Sequence, residues 1–386
     1  MLSYKARQAL GEQLMEIEEE IGKLKEERRR SRELLGALRD ELRRVDWRKL
    51  PGFKYGTRKY LEEIERELKE LVDARNELLK RESEKLVGRA KIVGSTLVKC
   101  GLWPLVGVSF DTVIIDEASQ ATVTLALLGM VKGRKWVLVG DHHQLPPVFR
   151  TLEEAVEQPE AVDPLSAFNR LVRLVGEEKT VWLRTHYRSN PAIIGFASDH
   201  VYGGRVTPHR SCEGVKLEVR PRGHLSRILD PEKPAVFVHV EGRERAEGGS
   251  RWNVEEVEAA KGIVRGLLEL GVAGERVGVI APYRAQRSKL REALGEGIEV
   301  STVDAFQGRE KDVVVFSATA TERSSVRFAE SKRRLNVAFT RARKKLIVLA
   351  NAKAPWEGLM KQYIEYARSA GAYFSWSPHP PSTNQA

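Results

Sequence analysis

The sequence predicts an α/β protein with a mostly parallel sheet, preceded by an α-helical hairpin. Over the first ninety residues, apolar residues recur at helical spacing between dense Glu, Lys and Arg. Beyond about residue 91, short β-branched runs alternate with helical stretches, the order typical of βαβ units. Several of these runs are continuously apolar, as strands buried on both faces of a sheet are.

Composition narrows the class of protein. The chain has 386 residues, 41% of them hydrophobic, which suggests two or three domains and excludes wholesale disorder. A net charge of +11 favours a polyanionic partner. Two distant cysteines, Cys100 and Cys212, exclude a disulfide scaffold and a cysteine-rich zinc site, and they fit a reducing, cytoplasmic compartment. No apolar run reaches the ~18–20 residues that span a bilayer, so no membrane partner is expected.

Residues 1–90 are expected to form an arm of two antiparallel amphipathic helices, separated by a break rich in proline and glycine at 46–56. The arm has 23 basic and 20 acidic residues, so most of the basic excess lies in the rest of the chain. We favour a projecting arm with a solvated charged surface over a dedicated nucleic-acid or partner surface. The apolar stripes consist of Leu14, Ile17, Ile21, Leu24, Leu34, Leu38, Leu42 and Val45, and of Leu61, Ile64, Leu68, Leu71 and Leu78.

The remaining chain is expected to form layers of strands and helices, with polar residues at the carboxyl ends of the strands, where parallel sheets bind ligands. The last residues, 371–386, contain three prolines and are expected to be a flexible tail. We expect strands at 113–116, 136–140, 181–183, 235–240, 277–280, 300–303, 312–317 and 345–349. We expect helices at 254–270, 285–294 and 331–343.

Two predicted strands end in groups that suit a magnesium-nucleotide site. After the first come Asp116 and Glu117, and one carboxylate can enter a Mg²⁺ shell while the other orients a water for attack on a phosphate. An acidic helix cap is the alternative for this pair. The second strand leads into a polar turn, in which Gln144 can sense a terminal phosphate. The adjacent His142 and His143 have no third ligand at zinc spacing, so a metal site is disfavoured there.

Arginines occupy two further positions of interest. Arg188 lies in a turn, and Arg341 lies near the end of the last predicted helix, on which Asn336 and Arg343 are expected to share one face. Either Arg188 or Arg341 can clamp a phosphoryl group, as the arginine finger of a nucleoside triphosphatase does. The alternatives are an ordinary basic turn and a basic helix end that complements its own dipole. A hydroxyl-rich strand end at 300–304 suits contacts to a phosphate backbone.

In this order and spacing the motifs are specific, and the chain resembles superfamily 1 helicases of the up-frameshift type, the group that includes the immunoglobulin-mu-binding and senataxin-like helicases. The resemblance covers roughly 55–370 and implies two RecA-like P-loop NTPase lobes, with ATP and Mg²⁺ in the cleft between them. It implies an AAA-type, ATP-dependent helicase that moves 5′ to 3′ along single-stranded DNA or RNA. The resemblance rests on Gly-Ser-Thr96, Ile-Ile-Asp116-Glu117-Ala-Ser-Gln, Leu-Val-Gly-Asp141-His-His-Gln144-Leu-Pro-Pro, Tyr187-Arg188-Ser-Asn-Pro, Ala281-Pro-Tyr-Arg-Ala-Gln286, Asp304-Ala-Phe-Gln-Gly-Arg-Glu310 and Leu-Asn-Val-Ala-Phe-Thr-Arg341-Ala-Arg.

The resemblance implies roles for individual residues. Asp116 would hold Mg²⁺, and Glu117 would activate the attacking water. Gln144 would couple the γ-phosphate to the nucleic acid, while Arg188 and Arg341 would stabilise transition-state charge. Further cofactor contacts are implied for Tyr187 with the adenine, for Glu310 with the ribose, and for Gly308. Nucleic-acid contacts are implied for Thr96, Pro147, Tyr283 and Thr302.

One motif of this family is missing from the sequence. No Gly-x-x-x-x-Gly-Lys-[Ser/Thr] phosphate loop occurs in the 386 residues, and the Gly22-Lys23 pair lacks the upstream glycine. We therefore expect an arm at 1–90 that resembles the family's helical insertion, and an incomplete first lobe with exposed apolar faces at 91–176. A second lobe is expected at 177–370. We hypothesise that a separate polypeptide supplies the phosphate loop.

Three functions are open at this point. The leading hypothesis is an ATP-dependent helicase or translocase that is completed by the phosphate loop. The second is a non-catalytic nucleic-acid-binding protein of helicase descent, which the presence of Asp116, Glu117, Gln144, Arg188 and Arg341 disfavours, because a dead ATPase is free to lose them. The third is an interaction or assembly protein that uses the helical arm.

Overall fold

The computed structural model describes residues 2–42, 51–147, 163–176 and 179–377. The chain divides into two compact units, Met1–Val113 with Leu125–Val137, and Ile114–Thr124 with Leu138–Ala386. These units differ from the predicted domains, because the loops after the first two strands belong to the second unit. Asp141, in the second of these loops, accepts a hydrogen bond of 2.8 Å from the hydroxyl of Tyr202, which belongs to the same unit.

The first unit begins with two long helices, α1 (Leu2–Leu42) and α2 (Pro51–Arg89), which pack along each other as the predicted antiparallel pair. Arg32 of α1 forms an ion pair with Glu65 of α2 at 2.5 Å. The predicted break at 46–56 is too long, because α2 begins at Pro51, a first helical position where the missing N–H has no cost. Residues 43–50 lie outside the described part of the chain. The buried contacts of the pair come from Ile21, Leu24, Ile64 and Leu68.

The helices and strands that follow α2, between residues 97 and 138, are short. A helical turn, α3 (Leu97–Cys100), is followed by strand β1 (Phe110–Ile115), helix α4 (Val123–Met130) and strand β2 (Gly133–Leu138), and β1 pairs with β2. Leu127, Val131 and Trp136 leave 47%, 72% and 53% of their surface exposed. Apolar side chains are thus exposed in this described part of the chain.

The second unit contains a six-stranded sheet in which every pairing is parallel. Its strand order from edge to edge is β12, β5, β11, β10, β8 and β9, and two small sheets pair β3 with β4 and β6 with β7. The strands are β3 (Thr185–His186), β4 (Thr207–Pro208), β5 (Ala235–His239), β6 (Arg245–Glu247), β7 (Ser250–Trp252), β8 (Val277–Ala281), β9 (Glu299–Thr302), β10 (Lys311–Ser317), β11 (Ala342–Ala350) and β12 (Tyr373–Ser375). The helices are α5 (Ala167–Val175), α6 (Pro191–His200), α7 (Val254–Glu269), α8 (Arg284–Leu294), α9 (Val303–Phe306), α10 (Arg323–Ala329), α11 (Lys332–Phe339) and α12 (Leu359–Ser369).

The large sheet is buried on both faces. Side chains alternate along each strand, so that Phe237 and Phe316 join one core while Val238 and Val315 join the other. Helices α6, α10, α11 and α12 cover the first face, and α7 and α8 cover the second. Each such side chain contributes roughly 1.5–3 kcal/mol when fully buried. The predicted α/β class with a parallel sheet is confirmed. In the described ranges, no helix has the length and apolar character needed to cross a membrane.

Two predicted elements end or begin in the wrong place. The strand predicted at 181–183 is absent, and Val181 and Leu183 are 87% and 81% exposed, because pairing begins only at β3. The helix predicted at 331–343 ends at Phe339, and β11 then begins two residues beyond Thr340. Residue 343 is therefore part of a strand, and its expected place on a helix face beside the asparagine of α11 is wrong. The sheet neighbours of β11 impose the extended conformation there.

The predicted flexible tail at 371–386 also begins too early. Strand β12 lies within it and adds to the sheet beside β5, with Tyr373 opposite Phe237. Phe374 is buried in the second core, and this burial holds the strand in place. Residues 378–386 lie outside the described part of the chain.

A buried carboxyl group lies where the sheet meets α7. Glu256 is fully buried, and its Oε2 accepts hydrogen bonds from Ser317 Oγ at 2.6 Å and from the backbone N–H of Thr319 at 2.8 Å. Its Oε1 has no hydrogen-bond partner. Burial raises the pKa of Glu256 to about 8, against the lowering effect of the two hydrogen bonds. The group is therefore largely protonated at neutral pH.

Replacing Glu256 should change how stability depends on pH. The pKa of this carboxyl is raised from 4.5 in the unfolded chain to about 8, so the folded state takes up a proton, and stability falls as pH rises through this interval. Glu256→Gln removes the titrating group, so the variant should lose this dependence and exceed wild type by ~2 kcal/mol or more at about pH 8.5. Urea unfolding at about pH 5, 6.5 and 8.5 measures it. Exposed Glu258 on α7, changed to Gln, is the control, and an unchanged pH dependence in Glu256→Gln would contradict the assignment.

Candidate nucleotide site

The loop after β1 carries the two predicted carboxylates. The N–H of Ala118 donates to the carbonyl oxygen of Val139 at 2.7 Å, and the N–H of Val139 donates to that of Ile115 at 2.8 Å, which fixes the strand end. Glu117 adopts the left-handed conformation, with φ of 51°, at a cost of roughly 1–2 kcal/mol for a residue with a side chain. The sharp turn leaves both Asp116 and Glu117 exposed.

Each of these carboxylates keeps one oxygen available. Asp116 Oδ1 accepts from the N–H of Glu117 at 2.9 Å, and Glu117 Oε2 accepts from Gln120 Nε2 at 3.0 Å. The second oxygen of each group has no protein partner among the described residues. Among the described residues, these loops included, no group of three or more His, Cys, Asp and Glu could hold a metal ion. One carboxylate with an open oxygen fits Mg²⁺ bound together with nucleotide phosphates, which needs only one or two protein ligands.

The loop after β2 is bonded to Tyr202 and to helix α11. Asp141 Oδ2 accepts hydrogen bonds from Gln144 Nε2 and from Tyr202 Oη, both at 2.8 Å. Asn336 Nδ2, on α11, donates to Tyr202 Oη at 2.8 Å and to the carbonyl oxygen of His143 at 3.1 Å. We call Asp141, Gln144, Tyr202 and Asn336 the Asp141 network. It holds the candidate phosphate-sensing glutamine in one orientation.

The Asp141 network keeps one protonation state near neutral pH. Burial, reinforced by the charge of Asp141, raises the pKa of Tyr202, so its hydroxyl stays a neutral donor. Burial and the neighbouring His142 lower the pKa of His143 to about 4, so that ring is uncharged. Its centroid lies 5.5 Å from the ring of Tyr202 in an edge-on arrangement. Glycine is required at the start of this loop, because a Cβ on Gly140 would lie 2.9 Å from a backbone nitrogen.

Arg341 is a buried cation in the turn between α11 and β11. It is 4% exposed, and its Nε and Nη2 donate to Val337 O at 3.1 Å and Thr340 Oγ1 at 3.4 Å. Within the described residues it forms no ion pair with a carboxylate. Burial lowers its pKa, and the like charge of Arg188 adds to this. A buried guanidinium without a counter-ion is costly unless an anion binds beside it.

Arg188 and Glu310 form an ion pair, from Nε to Oε2 at 2.5 Å. Arg343 Nη1 lies 3.7 Å from the other oxygen of the same carboxylate. Tyr187 is 65% exposed, with its ring centroid 4.7 Å from that of His209. The resemblance-based contacts of Tyr187 and Glu310 with adenine and ribose stay predictions.

The arginine and glutamate positions correct one expectation about the sheet. Glu310 comes directly before β10, and Arg341 directly before β11, so both lie at the amino ends of their strands rather than at the carboxyl ends. They come together because β10 and β11 are neighbours in register, with Lys311 opposite Ala342. Gly308, in the turn that leads to β10, has a φ of 74° and open space beside its Cα.

The four predicted nucleic-acid contacts have different surroundings. Thr302 ends β9, at the carboxyl edge of the sheet, and Tyr283 comes after β8 at the same edge, but the hydroxyl of Tyr283 donates to Ser325 O at 2.6 Å. Pro147 is buried and precedes residues outside the described part of the chain. Thr96 belongs to the first unit and caps α3, accepting from Lys99 N at 3.4 Å. Their contacts with nucleic acid stay predictions.

Comparison with known proteins decides the family. Residues 2–151 and 164–353 match two models that are each described as an AAA domain. An uncharacterised ATP-dependent helicase of Methanocaldococcus jannaschii is 33% identical over 306 residues, which cover 77% of this chain and 43% of that protein. The ATP-dependent helicase upf1 of Schizosaccharomyces pombe is 34% identical over 285 residues, covering 70% of this chain and 30% of that protein. The chain belongs to the Upf1-like superfamily 1 helicases.

Other Upf1-like relatives give the same picture. The regulator of nonsense transcripts 1 homolog of Arabidopsis thaliana is 35% identical over 309 residues, covering 75% of this chain and 24% of that protein. The chain thus spans between about a quarter and two-fifths of the length of these relatives. Among solved structures, the arterivirus non-structural protein 10 helicase with DNA is similar over 67% of this chain and 43% of its own, at 17% identity and a TM-score of 0.34.

The Upf1-like motifs do not include Tyr202, and sequence reasoning missed it. This tyrosine comes after α6 in a stretch without a recognisable pattern, and its partners Asp141 and Asn336 are 61 and 134 residues away. Asn336 lies inside a quoted motif, but only its burial and its two donated bonds show which groups it contacts.

Removing the hydroxyl of Tyr202 should loosen the loop that carries Gln144. Tyr202→Phe keeps the ring but takes one donor from Asp141 and one acceptor from Asn336, so we expect a loss of ~1–2 kcal/mol in the free energy of unfolding. Amide hydrogen exchange at 141–144 should become faster. The matched control is Tyr366→Phe, because Tyr366 donates to Ala192 O at 2.8 Å outside the network. Equal protection of 141–144 in both variants would refute the role of the network.

Proposed function

We propose that the chain carries the nucleotide-hydrolysing and nucleic-acid-contacting residues of an ATP-dependent helicase or translocase that moves 5′ to 3′ on single-stranded DNA or RNA. The observation that carries the proposal is the buried guanidinium of Arg341, which has no carboxylate partner in the described part of the chain. The negative charges of Glu117 and Asp141 oppose the effect of burial on its pKa. The names of the relatives, ATP-dependent helicases, support the same activity.

The carboxylate pair fits two separate tasks in hydrolysis. Asp116 would hold Mg²⁺ through its open oxygen, and the bound ion neutralises charge on the phosphates. Glu117, held by Gln120 through only one oxygen, would orient the attacking water and accept its proton through the other. The Nε2 of Gln144 donates a hydrogen bond to Asp141, so its amide oxygen would be available to face the water or the terminal phosphate.

The two arginines would act on the charge that develops during phosphoryl transfer. Arg341 is fixed by its bonds to Val337 and Thr340, so little reorganisation opposes its action. Arg188 differs, because it pairs with Glu310, and about 40% of each side chain is exposed. An exposed pair of this kind is worth at most ~1 kcal/mol, so a phosphate oxygen can displace the carboxylate at small cost.

Hydrolysis also needs a phosphate loop, and the 386 residues contain none. We propose that a phosphate-loop segment from outside these residues, in our leading hypothesis a separate polypeptide, completes the site. Its backbone amides and lysine would hold the β- and γ-phosphates that this chain cannot cradle. The exposed apolar side chains of Leu127, Val131 and Trp136 offer such a segment a surface to pack on.

The decisive test is hydrolysis by the chain combined with a phosphate-loop segment, with Mg²⁺ and single-stranded nucleic acid. Glu117→Gln should lower kcat by ~10²–10³, and Arg341→Ala by a similar factor, because each removes transition-state stabilisation. Arg265→Ala, on the exposed side of α7, is the control. Full activity of Glu117→Gln would contradict the assigned role.

A second set of outcomes distinguishes the proposed function from its alternative. Salt-sensitive binding of single strands without any hydrolysis, even with the phosphate-loop segment present, would favour a non-catalytic nucleic-acid-binding protein. Hydrolysis at normal helicase rates by the 386 residues alone would refute the need for the added segment.

A further inference from the structure

We propose that the hairpin of β6 and β7, together with α8, forms an additional contact for single-stranded nucleic acid. We call this surface the hairpin lip and define it by Arg245, Arg251, Trp252, Arg284 and Lys289. The proposal rests on the proposed function, since it extends the nucleic-acid path of the same protein. In it, a base stacks near Trp252, and the surrounding cations meet the adjoining phosphates.

The hairpin is short and fixed at its base. Gly248 and Gly249 have φ values of 55° and 74°, which is the tight turn that lets β6 pair directly with β7. Ser250 Oγ accepts a hydrogen bond from the N–H of Ala285 at 3.1 Å, so β7 is anchored on the first turn of α8. The lip is therefore preformed, and binding would order little additional backbone.

Trp252 stands between cations rather than in a core. The Cζ of Arg245 lies 5.2 Å, and the Nζ of Lys289 lies 5.1 Å, from its ring centroid. Trp252 joins neither hydrophobic core of the sheet. An aromatic ring flanked by cations is the arrangement by which proteins bind single strands without sequence preference, through base stacking and phosphate contacts.

The charge balance of the lip favours an anionic ligand. Lys289 pairs with Glu247, and Arg251 with Glu244, both at 3.4 Å, and the carboxylate of Glu244 is only 2% exposed. The exposed guanidinium groups in and beside the lip make no ion pair with a described residue. These groups belong to Arg243, Arg245 and Arg284. Their positive charge is therefore open to an anion from solvent.

The position of the lip connects it with a predicted nucleic-acid contact. Ala281, the last residue of β8, is in register with Thr302, the last residue of β9, and α8 begins at Arg284. The lip and Thr302 thus share the carboxyl edge of the sheet, whereas Glu310 and Arg341 lie at the amino edge. A strand that contacts Thr302 reaches the lip by continuing along this edge.

The test is binding of fluorescent oligothymidylates of about 6 and 16 nucleotides to the whole chain, by anisotropy at several salt concentrations. Trp252→Ala should weaken binding of the longer oligonucleotide about tenfold, and Trp252→Phe less than threefold, because phenylalanine keeps a stacking face. Arg245→Ala should reduce the slope of log affinity against log salt by about 1. Arg265→Ala controls for the loss of an exposed arginine and should change neither quantity.

The outcomes separate this proposal from the proposed function. Suppose that wild type binds single strands, that Trp252→Ala binds them with the same affinity, and that Arg245→Ala has the same salt slope. These results would overturn the proposal for the hairpin lip and leave the proposed function intact. No single-strand binding by wild type at low salt would overturn the nucleic-acid part of the proposed function as well. Equal competition by polyglutamate would show a surface for acidic protein and would also overturn the proposal. Circular dichroism of each variant checks that it is folded.

Discussion

Burial of the six-stranded sheet on both faces is the constraint on which the second unit depends. Because helices cover both faces, polar groups that must meet a ligand have room only at the two edges where strands begin and end. The amino edge carries Glu310 and Arg341, and the carboxyl edge carries Thr302 and the hairpin lip. The proposed nucleotide contacts and the proposed nucleic-acid contacts therefore lie at opposite edges of one sheet.

The Asp141 network gives the loop after β2 a fixed position. Asp141 accepts bonds from its own loop and from Tyr202, and Asn336 connects the tyrosine to α11, the helix that leads directly to Arg341. The glutamine and the arginine that would act on one phosphate are thus held through a short path of hydrogen bonds. A buried network of this kind is effective only when its members are satisfied, and the unpartnered Oδ1 of Asn336 is its weak point.

Local pattern was sufficient for most of the fold. The strands that end near Asp116 and before Gln144, and those of the large sheet, were predictable from apolar runs bounded by polar turns. The failures in the strand predictions share one cause, which is that pairing partners distant in sequence leave no local signal. Val181 and Leu183 have the composition of a strand but no neighbour in the described structure, and residues 342–343 lie in β11 because β5 and β10 flank it.

For the candidate site, residue types and strand ends predicted where carboxylates would lie, while individual roles came from the resemblance. Neither source could show that Arg341 is buried or that Tyr202 joins the loop after β2 to α11. The contacts of the tyrosine depend on packing between segments that lie 61 and 134 residues apart. Family membership supplies the chemistry only in outline, and the contacts decide which groups are placed to perform it.

Glu310 has a further consequence, because its two carboxylate oxygens face two arginines, Arg188 at 2.5 Å and Arg343 at 3.7 Å. Substitutions at these arginines are therefore not independent, since loss of either one leaves the carboxylate to the other and the two effects would not add. Because the two arginines share the carboxylate of Glu310, the ion pair of Arg343, at the start of β11, depends on whether Arg188 is paired. Whatever draws Arg188 away would leave Glu310 to Arg343, which lies in a central strand of the sheet.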